Sequence, residues 1–146
     1  MRAAIVLRAA AVIALVQAAA HAALFLTAKP GHGAEEVAVI DAMKSHYFLF
    51  AGQPRNYWGF YYGYGLMAAL VVVVEAVLFW MLAVVAKDTP ARTRPIIALF
   101  ILYNIAHAAI LSRYFFPLPI VMDALVTVTL LLAFVAATSD SGRTSR

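Results

Sequence analysis

Seven polar side chains interrupt the apolar stretches of this 146-residue sequence, and their types are those that bind ligands or carry protons. The set contains two histidines, two acids, two carboxamides and a threonine: Gln17, His21, Glu75, Asn104, His107, Asp123 and Thr127. Ionisable groups are expensive in hydrocarbon and usually face protein or a water-filled cavity, so by default they indicate a functional site. We therefore predict that these residues line a ligand pocket.

The spacing of these residues places most of them on shared helix faces. Three pairs lie three or four residues apart, namely Gln17 and His21, Asn104 and His107, and Asp123 and Thr127. Residues at such spacings are neighbours on a helix surface. Three helices are therefore expected to carry a polar stripe.

A depth estimate groups the same residues into two layers. At about 1.5 Å per residue, one layer lies roughly 9 Å below the outer boundary and the other about 13–16 Å below it. The outer layer contains His21, His107 and Asp123, and the deeper layer contains Gln17, Glu75, Asn104 and Thr127. First and third helices are diagonal in an up-down bundle, so His21 and His107 are expected to face each other across the core.

Four apolar helices must position these groups. The chain is 65% hydrophobic and only 12% charged, against about 25% charged in soluble domains. The apolar blocks approach the roughly 20 residues that span a bilayer, where backbone groups must be satisfied within a helix. We predict an all-α, four-transmembrane-helix up-down bundle forming one domain over residues 1–137, with spans at about 9–27, 60–86, 95–113 and 118–137, an outer loop over 28–59 and a flexible polar tail over 138–146.

The first apolar block also resembles a secretory signal. Arg2 and Arg8 precede it, and the small residues 18–22 imitate a cleavage site. The run continues through Leu24, Phe25 and Leu26 to spanning length, which favours a retained span.

Basic residues flank the spans and indicate orientation. With the N-terminus inside, seven basic residues lie on inner segments and four on outer ones. The inner set is Arg2, Arg8, Lys87, Arg92, Arg94, Arg143 and Arg146, and the outer set is Lys29, Lys44, Arg55 and Arg113. The positive-inside rule predicts a multi-pass inner-membrane protein with both termini in the cytoplasm. Because the charges do not cluster, the bilayer is the expected partner and nucleic acid is not.

The chain has no cysteine, which excludes disulfides and cysteine-ligated metals.

The long outer loop has two parts. Residues 34–46 are expected to form a short helix, since Glu35 and Glu36 suit its first turn and Lys44 its last. Residues 47–64 hold nine of the 18 aromatic residues. These rings either anchor the chain at the interface or form a lid over the outer mouth of the bundle, with Arg55, Tyr57, Trp58 and Tyr61 as its principal residues. Gly59 and Gly63 are expected to provide a close-packing face.

The aromatic segment carries a recognisable signature. Met43-Lys44-Ser45 and Phe48 precede the pattern Gly52-x-x-Arg55-x-Tyr57-Trp58-x-Phe60-Tyr61-x-Gly63-Tyr64-Gly65. This pattern resembles that of a family of small bacterial four-helix integral membrane proteins with no assigned activity. The resemblance covers nearly the whole chain and implies the same four-span fold. Gly59 departs from the pattern, because related chains are expected to have an acid there.

Three functional interpretations remain open. The polar residues can be interhelical hydrogen bonds that only stabilise the bundle. They can instead form a pocket for a small apolar or amphipathic ligand. The protein would then be either a binding or accessory protein, whose partner is that ligand or another membrane protein, or a membrane enzyme performing acid–base chemistry on a lipid-like substrate. A third interpretation makes His21 and His107 the axial ligands of a haem. The sequence contains no catalytic motif and no other metal site, so neither a catalytic residue nor a cofactor is assigned.

Overall fold

The computed structural model describes residues 2–144, and for residues 141–144 it describes the backbone alone. Five helices and one hairpin follow in the order α1 Arg2–Thr27, α2 Ala34–Ser45, β1 Tyr47–Phe50, β2 Gln53–Asn56, α3 Tyr57–Asp88, α4 Pro90–Tyr114 and α5 Pro117–Thr144. The helical fold class is confirmed. Helices α1, α3, α4 and α5 are long and apolar enough to cross a membrane, which indicates a multi-pass membrane protein.

Several helix ends differ from the predicted boundaries. Helix α4 begins at Pro90, five residues before the predicted start, and Pro95 lies inside it. Helix α5 continues to Thr144, whereas a flexible tail was predicted from residue 138. The hydroxyls of Thr138 and Ser139 donate to carbonyls four residues earlier, at 3.0 and 3.2 Å, so these polar residues are satisfied within the helix. Residues 145 and 146 of the predicted tail, and the side chain of Arg143, lie outside the described part of the chain.

The described chain divides into two compact units, residues 2–18 with 72–144 and residues 19–71. The single domain over residues 1–137 stays a prediction. The first unit has a core built from α1, α3, α4 and α5, with Leu7, Phe79, Ile97 and Leu130 fully buried. Six small alanines of α1 line the same core, namely Ala3, Ala4, Ala10, Ala11, Ala14 and Ala18. Small residues allow helix backbones to approach closely, which is how helices pack in lipid.

The ends of α1 and α5 are joined in this unit. Asp140 Oδ2 accepts a hydrogen bond from the Ala3 backbone N–H at 3.2 Å. The first N–H groups of a helix have no partner within the helix and carry its partial positive charge. A carboxylate therefore stabilises the first turn of α1.

The second unit contains the hairpin, which the sequence did not predict. Its strands are antiparallel, with Tyr47 opposite Asn56 and Phe50 opposite Gln53. The two loop residues, Ala51 and Gly52, both have positive φ, 50° and 76°. Such a two-residue turn matches the twist of the strands and favours glycine. The predicted short helix is confirmed as α2.

A carboxylate orders the segment before α2. Glu36 Oε2 accepts hydrogen bonds from the backbone N–H groups of Gly31 at 2.7 Å and His32 at 2.8 Å. These bonds favour the charged form, and the His32 N–H contributes most to holding the pKa of Glu36 below its usual value.

Candidate functional site

Asp123 is the centre of a polar cluster in the first unit. Its side chain is only 3% exposed. One carboxylate oxygen accepts from Gln17 Nε2 at 3.1 Å, and the other accepts from His107 Nδ1 at 2.7 Å. Because these residues belong to α1, α4 and α5, a single carboxylate connects three of the four long helices.

The bond to Asp123 determines how His107 is presented. A carboxylate oxygen accepts, so Nδ1 carries a proton, and in the neutral form of the ring Nε2 keeps a lone pair. The side chain of His107 is 37% exposed, while its carboxylate partner is buried. The Tyr103 ring stacks on the imidazole at 5.8 Å with an interplanar angle of 9°. The imidazole is thus held on one side by a carboxylate and on one face by an aromatic ring, and its Nε2 has no hydrogen-bond partner among residues 2–140.

A second pair joins α3 to α4. Asn104 Nδ2 donates to Glu75 Oε1 and to the Phe100 carbonyl, both at 2.9 Å. Glu75 and Asn104 are 6% and 2% exposed. Asn104 and His107 lie three residues apart on α4, so this helix contributes a residue to each pair. The two pairs therefore lie beside each other along α4 and form one polar cluster.

The hydrogen bonds of the cluster join residues within and between the two predicted layers. Gln17, placed in the deeper layer, bonds with Asp123 of the outer layer, because its side chain is long enough to reach across one helical turn. The Glu75–Asn104 and His107–Asp123 pairs each join residues predicted to share a layer. Thr127 is half-buried. The assignment of these residues to two depths stays a prediction.

His21 lies in the second unit, not in this cluster. Its Nε2 bonds with the Gly65 carbonyl at 3.0 Å, and its ring stacks on Phe25 at 5.7 Å. The expected pairing of His21 with His107 joins residues of the two units and stays a prediction. His21 uses a ring nitrogen in the bond to Gly65, and no three metal-ligating side chains group together among residues 2–140, whose side chains the structure describes.

The predicted lid residues belong to an aromatic cluster of the second unit. Tyr57 packs on Phe48 at 4.9 Å, and Trp58 packs on Tyr61 at 5.4 Å. Lys44 Nζ lies 4.7 Å from the centre of the Trp58 ring. Arg55 does not join these rings: its guanidinium donates to the Pro54 carbonyl at 2.8 Å. Closure of this cluster over a pocket stays a prediction.

Gly59 and Gly63 do not provide the close-packing face of α3 that was predicted for them. A methyl group at Gly63 would meet no atom within 4 Å, and one at Gly59 would meet only Asn56 Oδ1 at 3.0 Å. At Gly65 a methyl group would overlap the Phe25 ring. Gly65 is therefore the position where α1 and α3 approach closely.

Asn56 joins the end of one helix to the start of another, a role that was not predicted from the sequence. Its Oδ1 accepts from the Gly59 N–H at 2.7 Å, and its Nδ2 donates to the Lys44 carbonyl at 2.8 Å. The first bond caps the start of α3 and the second ties it to the last turn of α2. Asparagine immediately before a helix is a recognised capping signal, so this role could be predicted only once the start of α3 was known.

Comparison with known proteins identifies no relative. No protein-family model, no curated protein and no solved structure matches this chain. The resemblance to the family of small bacterial four-helix membrane proteins therefore stays a prediction.

Proposed function

We propose that this chain is a binding or accessory protein of a bacterial inner membrane, and that it binds a small apolar or amphipathic ligand beside His107. The observation that carries the proposal is the buried Asp123 holding a part-exposed His107 with Nε2 free. A neutral imidazole in this tautomer accepts a hydrogen bond, so the ligand is expected to present a hydroxyl or another donor. In a mostly apolar pocket, a small number of precisely placed polar groups fix the orientation of the ligand.

The rest of the proposed site follows from the same cluster. Gln17, Glu75, Asn104 and Thr127 are the other polar residues beside which the ligand would lie. The distribution of basic residues supports an up-down arrangement with both termini in the cytoplasm. Reporter fusions at the two termini test this topology, and an external C-terminus would contradict it.

A membrane enzyme is the second candidate, and the same dyad favours it. Histidine is the commonest general acid–base group, and a carboxylate on Nδ1 keeps it in the tautomer in which Nε2 accepts a proton. His107 would then deprotonate a donor group on a lipid-like substrate. Covalent change in a bound lipid, and not retention of it, distinguishes this function from binding.

Two further interpretations make different predictions. If the cluster is only structural, its hydrogen bonds stabilise the helix packing and the purified protein is folded and empty. If His21 and His107 hold a haem, the purified protein has a Soret band, and its absence after expression with ample haem would eliminate this alternative.

Native mass spectrometry after gentle extraction tests the main proposal. The wild-type protein is expected to retain a small amphipathic molecule, and His107→Gln is expected to lose it. His32→Gln is the matched control, because the side chain of His32 is 89% exposed in the loop before α2. An empty, folded wild-type protein, or equal retention by wild type and His107→Gln, would contradict the proposal.

A further inference from the structure

An apolar groove runs along the surface of the first unit between α1 and α3. Its volume is about 190 Å³, and its lining residues are Ala11, Val12, Leu15, Ala76, Val77 and Trp80. Half or more of the surface of Val12, Leu15, Val77 and Trp80 is exposed. Closed ligand pockets usually measure about 300–1,000 Å³, so this groove suits one segment of a hydrocarbon chain better than a whole ligand.

A cation lies at one end of the groove. The Arg8 guanidinium carbon is 5.3 Å from the centre of the Trp80 ring, and Trp80 is itself part of the lining. Arg8 precedes Val12 by four residues and Leu15 by seven, so all three lie on one face of α1. At about 1.5 Å per residue, the groove extends roughly 10 Å along the helix from Arg8.

The guanidinium of Arg8 has unused hydrogen-bonding capacity. No carboxylate of residues 2–140 pairs with it, and its Nε is buried without a hydrogen-bond partner, so the two Nη groups are the donors left for a ligand. Arginine binds phosphate with parallel N–H donors, and stacking on an aromatic ring leaves the edge of the guanidinium plane open to such a ligand.

We infer that this groove and Arg8 form a binding site for one anionic phospholipid. The acyl chain lies against Val12, Leu15 and Val77, and the phosphate binds the Arg8 guanidinium beside Trp80. A lipid without net charge would fill the groove but leave the Arg8 guanidinium without an anion. A free phosphate would bind the guanidinium but leave the groove empty. The site lies on different residues from the His107 cluster and does not depend on the ligand proposed there.

Arg94 provides a matched control. Its guanidinium carbon lies 4.9 Å from the centre of the Phe134 ring, and its Nε is likewise buried without a partner. Arg94 and Phe134 belong to α4 and α5 and do not line the groove. The two arginines therefore share charge and ring contact and differ in the presence of the apolar groove.

The experiment uses the full chain in vesicles of equal parts phosphatidylglycerol and phosphatidylcholine, followed by native mass spectrometry of the retained lipid. The wild type is expected to retain one phosphatidylglycerol. Arg8→Gln should reduce the preference for it about fivefold, as expected for one basic residue near an anionic surface, and Arg94→Gln should leave it unchanged. Val12→Trp, which fills the groove from an exposed position, should remove both lipids without lowering the unfolding temperature.

Four results would overturn the inference. Equal losses in the Arg8 and Arg94 variants would show a general effect of surface charge. Unchanged lipid retention in Val12→Trp would show that the groove is not used, and a dimer abolished by that substitution alone would show that a second copy occupies it. If Arg8→Gln does not fold, Arg8→Lys takes its place, because lysine keeps the charge without the planar guanidinium. This variant should give a preference for phosphatidylglycerol between those of the wild type and the uncharged variant. A wild-type preference in Arg8→Lys would count against the site.

Discussion

Replacing Asn104 by leucine will destabilise the first unit more than replacing its partner Glu75 by leucine. Asn104 Nδ2 has two acceptors, Glu75 Oε1 and the Phe100 carbonyl. Loss of Glu75 leaves the amide bonded to Phe100. Loss of Asn104 leaves a carboxyl group that is 6% exposed without its donor.

The magnitudes follow from this asymmetry. A hydrogen bond between membrane helices contributes about 0.6 kcal/mol and at most about 1.7 kcal/mol, so Glu75→Leu should cost about 1 kcal/mol. Asn104→Leu adds the cost of an unsatisfied buried group, about 1–3 kcal/mol, giving about 3 kcal/mol in total. Replacing both partners by apolar groups removes that cost, so the double variant should lose only about 1 kcal/mol, not the roughly 4 kcal/mol expected from addition.

Reversible unfolding in mixed micelles, followed by tryptophan fluorescence during titration with a denaturing detergent, measures these free energies. Thr127→Val is the control: Thr127 is half-buried in α5, outside this pair, and its replacement should change stability by no more than about 0.5 kcal/mol. Equal costs for the two single variants, with a double variant equal to their sum, would refute the reasoning.

Three further outcomes are expected. Gly65→Ala should lower the free energy of unfolding by about 1–3 kcal/mol because its methyl group overlaps the Phe25 ring, whereas Gly63→Ala, with open space, should raise it by up to about 1 kcal/mol; thermal unfolding in detergent measures both, and the same sign for both would contradict the packing. Ala51→Asn should stabilise the hairpin by about 0.5–1 kcal/mol, since alanine at a φ of 50° is strained and asparagine tolerates this region; slower amide exchange in residues 47–56 would show it, and faster exchange would oppose it. Glu36 has a lowered pKa, so it stabilises the folded state above its usual pKa, and this contribution disappears as pH falls through the lowered value. The protection of the Gly31 amide against hydrogen exchange, relative to an unstructured amide at the same pH, should therefore fall over that range in the wild type and not in Glu36→Gln. Identical protection profiles for the two proteins would refute the assignment.

Hydropathy and local patterns were enough to predict the helical class. The four long helices follow from apolar content, because length and apolarity are properties of each segment alone. The short helix α2 was also predictable, since its acidic first turn and basic last turn are local features. The hairpin over 47–56 was missed because dense aromatic residues hide strand alternation, and its turn depends on positive φ at Ala51, an unfavoured residue for that conformation.

The membership of the candidate site was partly predictable and its connections were not. Glu75, Asn104, His107 and Asp123 were identified because polar residues are rare inside apolar helices. The bonded pairs Glu75–Asn104 and His107–Asp123 each join residues that were placed at the same level, but the depth estimate did not predict which residues of a level bond.

Tertiary structure decided the rest of the polar contacts. Position along a helix gives depth, but the direction in which a side chain points depends on how each helix is rotated and tilted against its neighbours. Those variables bring Gln17 to Asp123 and His21 to the Gly65 carbonyl. The same packing stacks Tyr103 on His107 and places Arg8 beside Trp80 at the end of an apolar groove. The sequence alone thus determined which groups are buried in the helices, and helix packing determined which of them meet.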